Sequence, residues 1–221
     1  MNLLVVDASS ENISLAIKYK GKLVADFNRK KRFGASLLIQ QIDRQLSKNK
    51  LSLKSMDAFV VGSGPGSFTG LRISFSVIKA FMLVTKKPTI EVGSSYSLAY
   101  ALRNKSSKIA VISDARRGLI YGVCFKSRLG VLRKEAKEKL YKLEEFIKNK
   151  EDYLFCTYDK DLRDQVSNLN KKIGFYDKDL YPKARDLLLE AELCYNQGKF
   201  TTIDKLKPLY LHPKTCQIQK K

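Results

Sequence analysis

The run DAFVVGSGPGSFTGLRISFSVIKAFMLV, from Asp57 to Val84, constrains this chain more than any other stretch. An apolar strand over 57–62 meets a glycine-rich turn, and a helix over 70–85 follows at once. Strand, turn, helix is the unit from which α/β layers are built. It is also the arrangement in which amides at a helix N-terminus meet phosphate. Spacing tests the second use. A P-loop requires GxxxxGK[ST], and no glycine pair of that spacing is followed by lysine here. The GxGxxG fingerprint fails as well, because Thr69 stands where the third glycine belongs and Gly70 comes one residue late. Two readings stay open. Gly64, Gly66 and Gly70 form a structural turn with Ser67 or Thr69 capping the helix, or the turn's amides face an anion.

The helix is more telling than the turn. At about 100° per residue, Leu71, Ile73, Phe75, Val77, Ile78, Ala80, Phe81, Met82 and Val84 cover an arc of about 220°, interrupted by Ser74. A surface helix needs an apolar stripe of only about 100°. The excess is covered either by the rest of the chain, between the sheet and a helix at 35–48, or by a partner protein.

Around this unit the periodicity predicts strands over 3–7, 12–19 and 22–28, with Lys20-Gly21 at a turn, and a short strand over 89–92. Leu38, Ile42 and Leu46 give the helix at 35–48 its apolar face. A second set of elements begins near 108 with KIAVISDARR and GLIYGVCF as strands. Between 130 and 180 only YKLEEFIKN reads as helix and DYLFCTY as strand. The stretch KARDLLLEAELCYN over 183–196 predicts a helix ended by Gly198. The expectation is an α/β protein of two lobes, 1–104 and 105–221, each a mixed sheet with flanking helices. The helix at 183–196 is a candidate to pack back on the first lobe.

Composition removes several chemistries. A single histidine, His212, leaves no HExxH motif and no multi-histidine metal site, and allows a Ser-His-Asp triad only if the tail folds back. Cys124, Cys156, Cys194 and Cys216 have no CxxC spacing and read as reduced packing thiols. No apolar run is expected to approach the roughly 20 residues that cross a bilayer. The N-terminus reads as a first strand without a basic leader, which predicts a cytoplasmic protein with no membrane partner. The net charge of +20 suits a polyanion such as RNA, yet it divides evenly. Residues 1–104 carry 16 basic and 6 acidic groups and residues 105–221 carry 26 and 16, so each part is +10. A lysine-rich surface explains that equally well.

GPGSFTGLRIS together with DARRGLIY resembles the TsaB (YeaZ) family of tRNA threonylcarbamoyladenosine biosynthesis. LLVVDASSENISLAI, KPTIEVGSSYSLAYA, YPKARDLLLEA and LKPLYL resemble further segments of that family, in the same order. The likeness is strong over about 1–121, moderate over 181–211 and weak between. It implies an actin-like ATPase (ASKHA) fold with a degenerate nucleotide cleft, where Asp7, Ser9 and Asp114 are the vestigial candidates. It also implies a subunit without catalytic residues, metal or tightly bound cofactor. Such a subunit pairs with a TsaD-type transferase, cooperates with a TsaE-type ATPase, and reaches tRNA through the complex. ATP or ADP is then expected at the interface of the complex. Pairing would use the helices at 35–48 and 70–84, with Leu38, Ile42, Ile73, Val77 and Phe81 as contacts, and the same face would form a homodimer when the chain is alone. The chain departs from the family at Gly34-Ala35, where many relatives have His-Ser, and in the opening DASS. Two other readings carry different chemistry. One is an ASKHA ATPase or phosphotransferase using Asp7 and Asp114, although Asp114 beside Arg116 and Arg117 also suits a structural ion pair. The other is a direct tRNA-binding module.

Overall fold

The computed structural model describes residues 1–30, 35–178 and 180–208. The first sheet joins β1 (Leu3–Asp7), β2 (Asn12–Tyr19), β3 (Lys22–Lys30), β4 (Ala58–Gly62) and β5 (Thr89–Val92) in the order β3-β2-β1-β4-β5. β1 to β3 form an antiparallel meander, while β4 and β5 join parallel to β1. Lys20 and Gly21 take φ of +48° and +79°, the left-handed pair that closes a two-residue hairpin. The second sheet contains β6 (Lys108–Arg116), β7 (Leu119–Arg128), β8 (Val131–Lys134), β9 (Lys139–Lys142), β10 (Leu154–Cys156) and β11 (Gly174–Phe175). Its order is β11-β10-β6-β7-β8, with β9 also on β7.

Alternation along the central strands sorts the core into layers. Leu3 and Val5 of β1 and Ala58 and Val60 of β4 face a core shared by both sheets, along with Ile109, Val111 and Phe125. Leu4, Val6, Phe59 and Val61 face outward, under α1 (Ala35–Lys48) and α2 (Phe68–Thr85). On the far side of the second sheet, Ala110 and Ile112 meet α4 (Leu143–Ile147) and α5 (Lys160–Leu169). Between the sheets lie α3 (Ser94–Leu102) and α6 (Leu188–Asn196).

The stretch predicted as one helix over 183–196 divides into a 3-10 turn, Ala184–Leu187, and α6. A tight Asp186 N–H to Lys183 carbonyl bond sets the first turn, a common way to open a helix. The segment lies against the first sheet. Ala184 N–H donates to Ser14 Oγ at 2.8 Å, Arg185 pairs with Asp26 at 2.9 Å, and Lys18 pairs with Glu192. Gly198 follows with φ +66°, as its C′ position requires. The β10 and α4 segments agree with the sequence reading, whereas α5 was not predicted. Its only buried apolar residues are Leu162 and Val166, too few to stand out among its charges.

One expectation fails. α2 has 18 residues and is long and apolar enough to cross a membrane by length and composition. Within the chain its Leu71, Phe75 and Ile78 pack on the first sheet, so one side is already occupied by protein. His212 and Cys216 lie outside the described residues, as does Gly34.

Candidate functional site

The site begins where β1 ends. Asp7 is 1% exposed, and its Oδ1 accepts from the Ser9 N–H at 2.8 Å and the Ser9 hydroxyl at 2.7 Å. Its Oδ2 accepts from the Ser94 hydroxyl at 2.6 Å, and Ser94 Oγ in turn accepts from Gly64 N–H at 3.0 Å. The carboxylate fills the place of a side chain at position 62, since a Cβ on Gly62 would stand 1.9 Å from Oδ2. Gly66, at φ +153°, leaves only 2.0 Å between a built Cβ and the Ser9 carbonyl. Both glycines therefore serve a tight approach between the β1 end and the turn.

Several of the turn's amides donate to protein acceptors. Ser63 donates to Val92, Ser67 to the Ser9 carbonyl, Gly70 to Ser67 Oγ and Leu71 to the Ser67 carbonyl. Ser67 is thus the N-cap of α2, and Thr69 is not. The Gly64 carbonyl accepts from Ser94 N–H at the start of α3. Asp7 already accepts from three donors, and no group of three metal-ligating side chains occurs among the described residues.

Asp114 lies on β6, at the bulge that precedes Arg116. It accepts from the Arg116 N–H at 2.8 Å and pairs with Arg116 Nε at 3.3 Å, a local ion pair on one strand. Its own N–H donates to Asp159, whose carboxyl is held above its usual range, first by burial. Tyr158 stacks on Tyr181 with ring centroids 6.4 Å apart, and burial raises its phenol above the usual range. Thiol chemistry finds no support either: burial pushes Cys124 up to about 11 and Cys156 up to about 12.

Two residues at this junction were not singled out in the sequence. Ser94 follows Gly93 at the head of α3, and the GSS signature marks a helix start without revealing that its hydroxyl reaches Asp7. Glu138, between β8 and β9, is 7% exposed, and burial pushes its carboxyl up to about 7 against the opposing influence of Lys134 and Ser95. Its Oε2 and the Ser95 Oγ both lie within 4 Å of a Cβ position on Gly93, yet neither atom makes a hydrogen bond of good geometry. Nothing in the pattern LRKEAKEKL indicates which glutamate turns inward.

The helix face divides the candidate contacts. Leu38, Ile42 and Val77 are 0%, 2% and 6% exposed and belong to the core beneath α1 and α2. They are not available to a partner. The i, i+4 spacing that made Leu38 and Ile42 visible is the face each helix turns to its own sheet. Ile73 and Phe81 are half-buried at the edge of that core. Phe68, Leu83 and Val84 of α2 are 51%, 57% and 77% exposed, and Ile39 of α1 is 51% exposed. Within the wide apolar arc Leu71, Phe75, Val77 and Ile78 are core, Ile73, Phe81 and Met82 are half-buried against it, and Ala80 and Val84 stay exposed in this chain.

Comparison with known proteins adds the following. The family model described as "TsaD: tRNA N6-adenosine threonylcarbamoyltransferase" matches residues 31–196. The chain is 26% identical over 220 residues to the tRNA threonylcarbamoyladenosine biosynthesis protein TsaB of Escherichia coli (strain K12), covering 96% of this chain and 94% of that protein. It is 26% identical over 171 residues to the protein of the same name from Bacillus subtilis (strain 168), covering 75% of each. The solved structure of YeaZ from Pseudomonas aeruginosa superposes with a TM-score of 0.84 at 25% identity, over 95% of this chain and 99% of that one.

Proposed function

The chain belongs to the tRNA N6-adenosine threonylcarbamoyltransferase family, in its TsaB (YeaZ) branch, and from that premise we propose that it is the non-catalytic subunit that binds and activates a TsaD-type transferase. One observation carries the proposal. The lobe that would hold nucleotide spends its Asp7 carboxylate and the Ser63, Gly64, Ser67 and Gly70 amides on itself, while the adjoining helix leaves apolar side chains exposed.

The exposed apolar side chains are Ala80, Leu83 and Val84 of α2 and Ile39 of α1, with Ile73 of α2 half-buried. Two helices of similar character laid against them would complete a four-helix packing and remove these residues from water. A fully buried aliphatic side chain contributes about 1.5–3 kcal/mol, so Ile39, Leu83 and Val84 would supply part of the free energy that offsets the cost of association. The same face would take a second copy of the chain when the transferase is absent. In this reading the chain works in the cytoplasm and has no metal or tightly bound cofactor. ATP or ADP belongs to the interface of the complex, with hydrolysis by a TsaE-type ATPase.

The test is threonylcarbamoyl transfer to tRNA, measured with this chain alone, with the TsaD-type protein alone and with both. The reading requires no transfer by this chain and a gain when it joins the transferase. Robust transfer by the isolated chain would overturn it.

A further inference from the structure

We infer that the outer face of the β7–β8 hairpin binds the phosphate backbone of RNA. The register pairs Lys126 with Arg133 and Arg128 with Val131, and paired residues share a face. On the opposite face Phe125 and Leu132 enter the core, and the Lys134 ammonium lies 5.8 Å from the centroid of the Phe125 ring. Alternation thus turns Lys126, Arg128 and Arg133 outward together. With Leu129 and Val131 they line a groove of about 430 Å³.

The charges on this face are mostly uncommitted. Lys126 pairs with Glu135 at 2.9 Å and remains 61% exposed, while Arg128 and Arg133 make no ion pair among the described residues. Arg128 and Lys126 are two residues apart on one strand, about 7 Å, a separation suited to successive phosphates along a strand. Guanidinium groups meet phosphate oxygens in a two-pronged fashion that lysine cannot match.

The hairpin is tied to the body of the fold near its tip, through Ser127 on the face opposite the three cations. Ser127 N–H donates to the Ser107 carbonyl at 2.8 Å, and the Ser127 hydroxyl donates to the Arg103 carbonyl. At the tip Leu129 is 97% exposed and takes φ +52°. A leucine in that left-handed region costs about 1 kcal/mol and buries nothing, so the fold gains little from it. Beside cations, an apolar tip suits contact with a ribose or an unstacked base.

The choice of RNA over another polyanion rests on the tRNA-modification reading above. The experiment is fluorescence anisotropy of the full chain with an unmodified tRNA transcript over a salt series. Arg128→Ser with Arg133→Ser is compared with removal of two other exposed cations, Lys171→Ser with Lys172→Ser. Removing two phosphate contacts is expected to weaken binding by about tenfold or more and to lower the log–log salt slope by about 1.4 to 1.8. The control pair should change affinity less than about twofold, and Leu129→Ser should weaken binding with the slope retained. Unchanged melting of each variant establishes that the fold is intact. The inference is overturned if the wild-type chain does not bind the transcript, or if the arginine pair behaves as the control does. It is also overturned if the arginine pair keeps RNA affinity but loses the TsaD-type partner. Loss of RNA binding with pairing intact would leave the partner reading standing. Loss of pairing in α2 variants would leave this one standing.

Discussion

The Ser94 hydroxyl donates a 2.6 Å hydrogen bond to the Asp7 carboxylate, joining the end of β1 to the head of α3 across 87 residues of sequence. With Ser9 on the other oxygen, this bond turns a cleft aspartate into a structural junction beneath the glycine turn. The function proposed for the chain begins with that commitment.

Asp7→Ala should cost about 3 kcal/mol or more, because it leaves the Ser9 N–H and two hydroxyls buried without an acceptor. Urea unfolding measures this. ATP turnover of the chain should not change with the substitution. An Asp7→Ala chain of native stability that had lost an ATPase activity would restore the enzyme reading.

Gly66→Ala and Gly118→Ala separate close approach from backbone strain. Both glycines have positive φ, but a Cβ on Gly118 meets nothing within 4 Å. Gly118→Ala should cost about 1 kcal/mol. Gly66→Ala must also displace the Ser9 carbonyl, so its cost should exceed that of Gly118→Ala by at least about 2 kcal/mol. Equal melting midpoints would refute this account of the turn.

Glu138 predicts a pH dependence of stability. Its carboxyl is raised in the folded state to about 7 from an ordinary 4.5, chiefly by burial, with Lys134 and Ser95 opposing. Tyr121 and Tyr158 also lie within its electrostatic reach. The folded state therefore holds this proton more tightly than the unfolded chain. The penalty for ionising it is absent below pH 4.5, grows as pH rises between the two values, and is complete above 7. Glu138→Gln should stabilise the protein by about 3 kcal/mol at pH 8 and by less than about 1 kcal/mol at pH 5. A gain that is equal at both pH values would show that ionisation is not its cause.

How much of this was legible follows from range. The hairpin at Lys20-Gly21 and the strands β6 and β7 are set by neighbours within a few residues, and the pattern declares them, while it narrows the cap of α2 to Ser67 or Thr69. The Asp7–Ser94 bond and the inward turn of Glu138 are products of packing between distant segments, on which local periodicity is silent. Leu38, Ile42 and Val77 show a subtler limit. An apolar helix face is equally visible whether it meets its own sheet or another protein, and only burial in the folded chain separates the two.

The separation of core from open face gives the most direct test. Binding of the TsaD-type transferase is measured by calorimetry with wild-type chain, with Val77→Asp and with Ala80→Glu/Val84→Glu. Val77→Asp buries a charge beneath α2 and should unfold the lobe, making it uninformative about pairing by itself. Ala80 and Val84 are exposed, one helical turn apart, and their replacement should leave melting within about 1 kcal/mol of wild type. A folded Ala80→Glu/Val84→Glu chain that no longer binds the transferase, with affinity reduced by about a hundredfold or more, is the result the account predicts. A folded variant that binds as tightly as wild type would contradict it, and would place the partner on another face.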